Sequence, residues 1–180
     1  MDAVTLLVQV SSNYPYIAYL IKLLSILIGT GALIYALWIE IQINVFQSTH
    51  YSNAGGFKTF IICLFAGFLI SLGVTLNIVG ATFYDYGDFI IQEYGNSDSW
   101  KVDESSVNTI AMKQFVIVSS KVLALIFGFW GALGILLTAF PQAETKFWPG
   151  FVRVVVGAAM FNPIAILDFF GGWGTKFLAP

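Results

Sequence analysis

Few side chains in the apolar part of this chain can do chemistry. Lys22, Lys121 and Asp168 each stand in a stretch otherwise built of apolar and small residues. An isolated charge at a bilayer centre costs at least ~2.5–3.5 kcal/mol, so such residues seek a partner or the interface. The chemistry open to the lysines is electrostatic: gripping a lipid phosphate, or pairing with Asp168. The plainer reading is a long stem that snorkels its amine to water. The two lysines head similar phrases, "LIKLLSILIGTGALIYALWIE" and "SSKVLALIFGFWGALGILLTAF", 99 residues apart. Each is followed seven residues later by a glycine, Gly29 or Gly128, and then by Gly-Ala-Leu. As helix, Lys22 to Glu40 measures roughly 27 Å and Lys121 to Pro141 roughly 30 Å. That is the thickness of the hydrocarbon core, so both lysines belong at one interface. On a continuous helix Asp168 lies roughly 22 Å beyond Arg153, near the same face.

Other chemistries lack their residues. His50 is the only histidine, and it sits in a polar loop stretch. This excludes a His-based triad or metal site. No glycine-rich phosphate loop follows a strand pattern. Asp85, Asp88 and Glu93 do not follow the spacing of a cation-binding loop and read as solvated charge. The expectation is no catalytic residue, no metal and no cofactor, with bound phospholipid as the one candidate ligand. Cys63 is the sole cysteine, so an intramolecular disulfide is excluded and the redox compartment stays open.

The elements that position these residues must be membrane helices. Of 180 residues, 58% are hydrophobic and 10% charged, with a mean hydropathy of +0.82. A soluble domain carries about 25% charged residues, so the solvent around most of this chain is lipid. The net charge of −2 leaves no electrostatic footprint for nucleic acid. The N-terminus opens with an acid rather than a basic signal-peptide region. Its apolar part, Ala3 to Val10, is too short to span. It reads as a short amphipathic or frayed arm, or as an interfacial helix.

Four stretches reach the length of a span: Tyr16 to Ile39, Phe57 to Tyr84, Phe115 to Phe140 and Phe151 to Trp173. The expected fold is an all-α integral membrane protein, with four transmembrane helices as two tandem helical hairpins. Residues 1–84 hold the N-terminal arm and first hairpin. Residues 85–113 form an acidic, aromatic connector with six acids against two lysines. It reads as a small ordered cap or an interfacial segment. Residues 114–180 hold the second hairpin and C-terminal tail. Small residues recur as Ala66, Gly73 and Gly80 on segment two, and as Ala124, Gly128 and Ala132 on segment three. Such spacing lets helix backbones approach closely, within one chain or between copies. The Phe161-Asn162-Pro163 triplet predicts a kink in segment four, because proline removes a backbone donor.

The second half, "LIFGFWGALGILLTAF", "PQAETKFWPG", "FVRVVVGAAMFNPIAIL", resembles the TraQ family of I-type conjugative plasmids. It is also similar to IcmC (DotE) of the related type IVB secretion systems. The likeness spans roughly residues 115 to 170 and extends to the first half in general character. It implies a non-enzymatic inner-membrane subunit of a conjugation or secretion apparatus, present in many copies beside other transfer subunits. A hairpin with both ends outside also looks like the pilins of other type IV systems, which would carry the chain into an extracellular pilus. The family supplies no catalytic residues. The alternative from a different class is a small channel or transporter acting alone. Lysine and arginine counts on the two sides are nearly tied. The acidic connector favours termini and connector outside, with the other two loops cytoplasmic.

Overall fold

The computed structural model describes residues 3–46, 55–84, 102, 108–140, 146–169 and 171–173. Every regular element among them is a helix: α1 (Ala3–Ser11), α2 (Tyr14–Asn44), α3 (Gly55–Ile70), α4 (Leu72–Tyr84), α5 (Asn108–Thr138), α6 (Phe147–Phe161) and α7 (Pro163–Phe169). The helices α2 and α5 each run 31 residues, roughly 46 Å at 1.5 Å per residue. Both are long and apolar enough to cross a membrane. The arm is neither frayed nor separate. It forms α1, runs into α2 through a turn at Ser12 and Asn13, and packs on α5.

Two expected spans are not continuous helices. Segment two breaks at Ser71, and its halves α3 and α4 meet at 100°. Ser71 and Thr75 donate their hydroxyls to the carbonyls of Gly67 and Ser71, at 2.8 and 3.1 Å. Such back-bonding bends helices. Segment four begins at Phe147 and stops after 15 residues, because Asn162 leaves the helical region (φ −129°, ψ 76°) ahead of Pro163. Proline disfavours helical backbone in the residue before it. At roughly 22 Å, α6 is shorter than the hydrocarbon core. Thus, among the described residues, two helices have spanning length, three spans if the bent pair α3–α4 crosses as one, against the four expected. The helix α5 starts at Asn108, within the stretch read as the connector.

The hairpins share one plan, a 31-residue helix followed by a shorter helix that breaks. α2 packs on α3, and α5 packs on α6. The central helix is α5, which touches each of the other six. Its Leu125 and Ile135 are fully buried, as are Ile62, Leu69 and Leu76 from α3 and α4. Tyr35 of α2 stacks on Phe140 at the end of α5, with ring centroids 4.9 Å apart. Outward, α2 shows Tyr16, Leu20, Leu23, Leu27, Leu37 and Trp38. That surface suits hydrocarbon with an aromatic residue near each end.

Candidate functional site: a polar seam and an apolar groove

The lysine phrase on α5 forms a seam between helices. Ser119 shares a hydrogen bond of 3.0 Å with the Tyr14 hydroxyl at the start of α2. Ser120 donates to the Met160 carbonyl at 2.7 Å. Met160 lies in the last turn of α6, where carbonyls lack donors from their own helix. The serine thus satisfies a group that the break at Asn162 leaves open. Lys121 is half-buried beside this pair, and it makes no hydrogen bond or ion pair among the described residues. The expected Lys121–Asp168 ion pair is therefore not formed. Asp168 sits half-buried on α7, and its main-chain carbonyl accepts from the N–H groups of Gly171 and Gly172 at 3.2 and 2.9 Å. The straight run from Arg153 that placed Asp168 beside the lysines ends at Asn162. Lys22 is half-buried on α2, two turns before Gly29.

One described residue of the connector ahead of α5 meets this end of the bundle. Val102 is buried, and its N–H donates to Ser11 at 3.2 Å. His50, Asp85, Asp88 and Glu93 lie outside the described residues.

All six of the expected small packing residues are buried inside the chain's own bundle. Ala66, Ala124 and Ala132 have no exposed surface, and Gly73, Gly80 and Gly128 are buried. The closest helix approaches run through other glycines as well. A Cβ built on Gly157 would stand 2.8 Å from the Ala124 carbonyl oxygen and from the Gly128 nitrogen. One on Gly131 would stand 2.7 Å from the Gly150 carbonyl oxygen, and one on Gly29 the same distance from that of Ala66. The glycines that follow the two lysines do different work: Gly29 lies against the backbone of α3 in its own hairpin, whereas Gly128 leaves room for the Leu76 side chain of α4, from the other hairpin. The role of Gly150 escapes sequence reading because "PQAETKFWPG" looks like a turn. The signal available was the seven-residue spacing of Gly150 and Gly157, which puts them on one helix face.

Between α3 and α6 lies a groove of about 510 Å³. Phe65 and Phe68 form one wall, Phe151 and Val155 the other, Ile135 of α5 the floor, and Val79 of α4 part of the far end. Ser71 and Thr75 are its polar residues, 3.0 Å apart oxygen to oxygen. Their hydroxyl hydrogens are held by helix carbonyls, so neither offers a donor to an occupant. Among the described residues no group of three His, Cys, Asp or Glu side chains is placed to hold a metal ion. Against protein-family models, curated proteins and solved structures, no match to this chain is found.

Proposed function

We propose that the chain is a non-enzymatic membrane subunit that works by assembly, as its resemblance to TraQ and IcmC implies. In this reading it belongs to a conjugation or type IVB secretion apparatus in a bacterial inner membrane, and broken segments two and four also cross, making four spans. The observation that carries the reading is the tandem plan itself. Two hairpins of one build already pack side by side in a single chain, with α2 and α3 both against α5. The same lateral contact can be continued by further copies. The outward face of α2 offers the apolar surface for it. Extracted in mild detergent, the protein should run as an ordered oligomer many times its 19.8 kDa mass, by light scattering and negative-stain microscopy. A monodisperse monomer would refute assembly as its work.

The orientation of this reading is tested separately. In a Cys63→Ala background, a cysteine at Ser97 should react with an impermeant maleimide in intact cells, and one at Ser52 should not. Labelling at Ser52 alone inverts the topology. A second reading, a small transporter, is favoured by one observation: each hairpin breaks its second segment, at Ser71 and at Asn162. Transporters use paired broken helices to build midplane sites. Solute flux in proteoliposomes, abolished by Ser71→Leu, would decide for it.

A further inference from the structure

We infer that the groove between α3 and α6 holds one acyl chain of an anionic phospholipid, with its headgroup at the end of the bundle that carries Lys58 and Lys146. The shape of the groove sets the occupant. It is bounded by α3, α5 and α6, and α4 crosses its far end to reach α6. From Lys58 to Ser71 is 13 residues, roughly 20 Å of helix. The groove itself is lined on α3 from Leu64 to Ser71, roughly 10 Å, so that the distance from the lysine to the elbow, and not the groove alone, is about one leaflet, half the hydrocarbon core being about 15 Å. A passing transmembrane helix needs about 30 Å of clear path and a width of about 10–12 Å, and α4 blocks that path. An acyl chain needs only the leaflet depth.

Chemistry agrees with shape. The walls are apolar, and the two hydroxyls are already engaged with their own helix, so a peptide or sugar would find no donors there. At the open end, Leu64 stands six residues beyond Lys58, and Phe151 four residues inside the start of α6, next to Lys146. These are about 9 and 6 Å of helix. Neither lysine has a hydrogen bond or ion pair among the described residues, and Lys146 is exposed. Their charges lie where the phosphate of a chain seated in the groove would come. This site is at the opposite end of the spans from Lys22 and Lys121. It rests on the chain lying in a membrane and not on its assembly.

Gly67 supplies the test. It lies in the groove, and a Cβ placed on it meets nothing within 4 Å. Gly67→Trp should fill the groove from inside without displacing protein atoms. Gly31 is equally open but on α2, away from the groove, so Gly31→Trp is the control. The delipidated protein is titrated with phosphatidylglycerol or phosphatidylcholine, and bound lipid is counted by native mass spectrometry. Wild type and Gly31→Trp should each hold one phosphatidylglycerol per chain in preference to phosphatidylcholine. Gly67→Trp should bind at least tenfold less, and the smaller Gly67→Leu should fall between if the tryptophan variant misfolds. Lys58→Glu with Lys146→Glu should abolish the preference for phosphatidylglycerol while keeping one lipid bound. Unchanged binding by both Gly67 variants overturns the assignment. So does a lipid-free dimer that Gly67→Trp splits, which would give the groove to a second copy. Oligomer size recorded on the same samples shows whether the assembly reading fails independently.

Discussion

Gly157→Leu should leave no folded, monodisperse protein in detergent. At this position α6 touches α5 backbone to backbone. A Cβ would meet the Ala124 oxygen and the Gly128 nitrogen at 2.8 Å, and the Gly128 Cα at 3.2 Å. Main-chain atoms in the middle of a helix cannot step aside, so the two helices must separate along their whole contact. That contact is the most extensive in the bundle. Overpacking usually costs 1–3 kcal/mol because side chains yield. Here they do not, and a loss above about 4 kcal/mol, the range of exceptional substitutions, is expected. Gly131→Leu should behave alike, since its Cβ would meet Gly150 and Val154 backbone at 2.7 Å. Gly31→Ala should be neutral or stabilise by up to about 1 kcal/mol, because its Cβ meets nothing within 4 Å and glycine in a helix interior costs about that much relative to alanine. Melting temperature and elution profile report all three. If Gly157→Leu melts like wild type, the close approach of α5 and α6 is wrong.

The second large effect tests the elbow at Ser71. Leu76 of α4 is fully buried, and its methyl groups lie where a Cβ on Gly128 would go, at 2.7 and 2.8 Å. Leu76→Ala should cost about 2–5 kcal/mol through the cavity it leaves. Gly128→Leu should cost about 1–3 kcal/mol, less than Gly157→Leu, because the atoms in its way are the flexible end of a side chain. Combined, the leucine at 128 occupies the space vacated at 76. The double variant should then be at least about 1 kcal/mol more stable than the sum of the single losses. Strict additivity in denaturation of the four proteins would place Leu76 away from α5. A straight segment two would then replace the elbow. Gly128→Leu thus acts first on the fold of the single chain.

Much of this architecture can be read from residue types. Apolar content with 10% charge selects lipid as the solvent, and the uncharged runs after Lys22 and Lys121 select α2 and α5. Hydrogen bonds in a helix are local, so length and apolarity alone are enough to specify one. The Asn162–Pro163 break follows as directly, because proline acts on its immediate neighbours. The small-residue spacing of Ala124, Gly128 and Ala132 points to a helix face open to close contact. What that face meets is a different kind of information. Spacing is the same whether the partner is α3, α6 or another chain, so only the folded chain shows Gly157 against Gly128 and Leu76 filling the adjoining space. The turn at Ser71 is equally nonlocal. Serine in an apolar helix is tolerated either straight or bent, and only the bent form brings α4 onto α5 and α6 as the folded chain has it. That bend separates α3 from the end of α6 and opens the groove. The placing of Asp168 beside the two lysines rested on a continuous helix from Arg153, and a distance along a helix means nothing once the helix is broken.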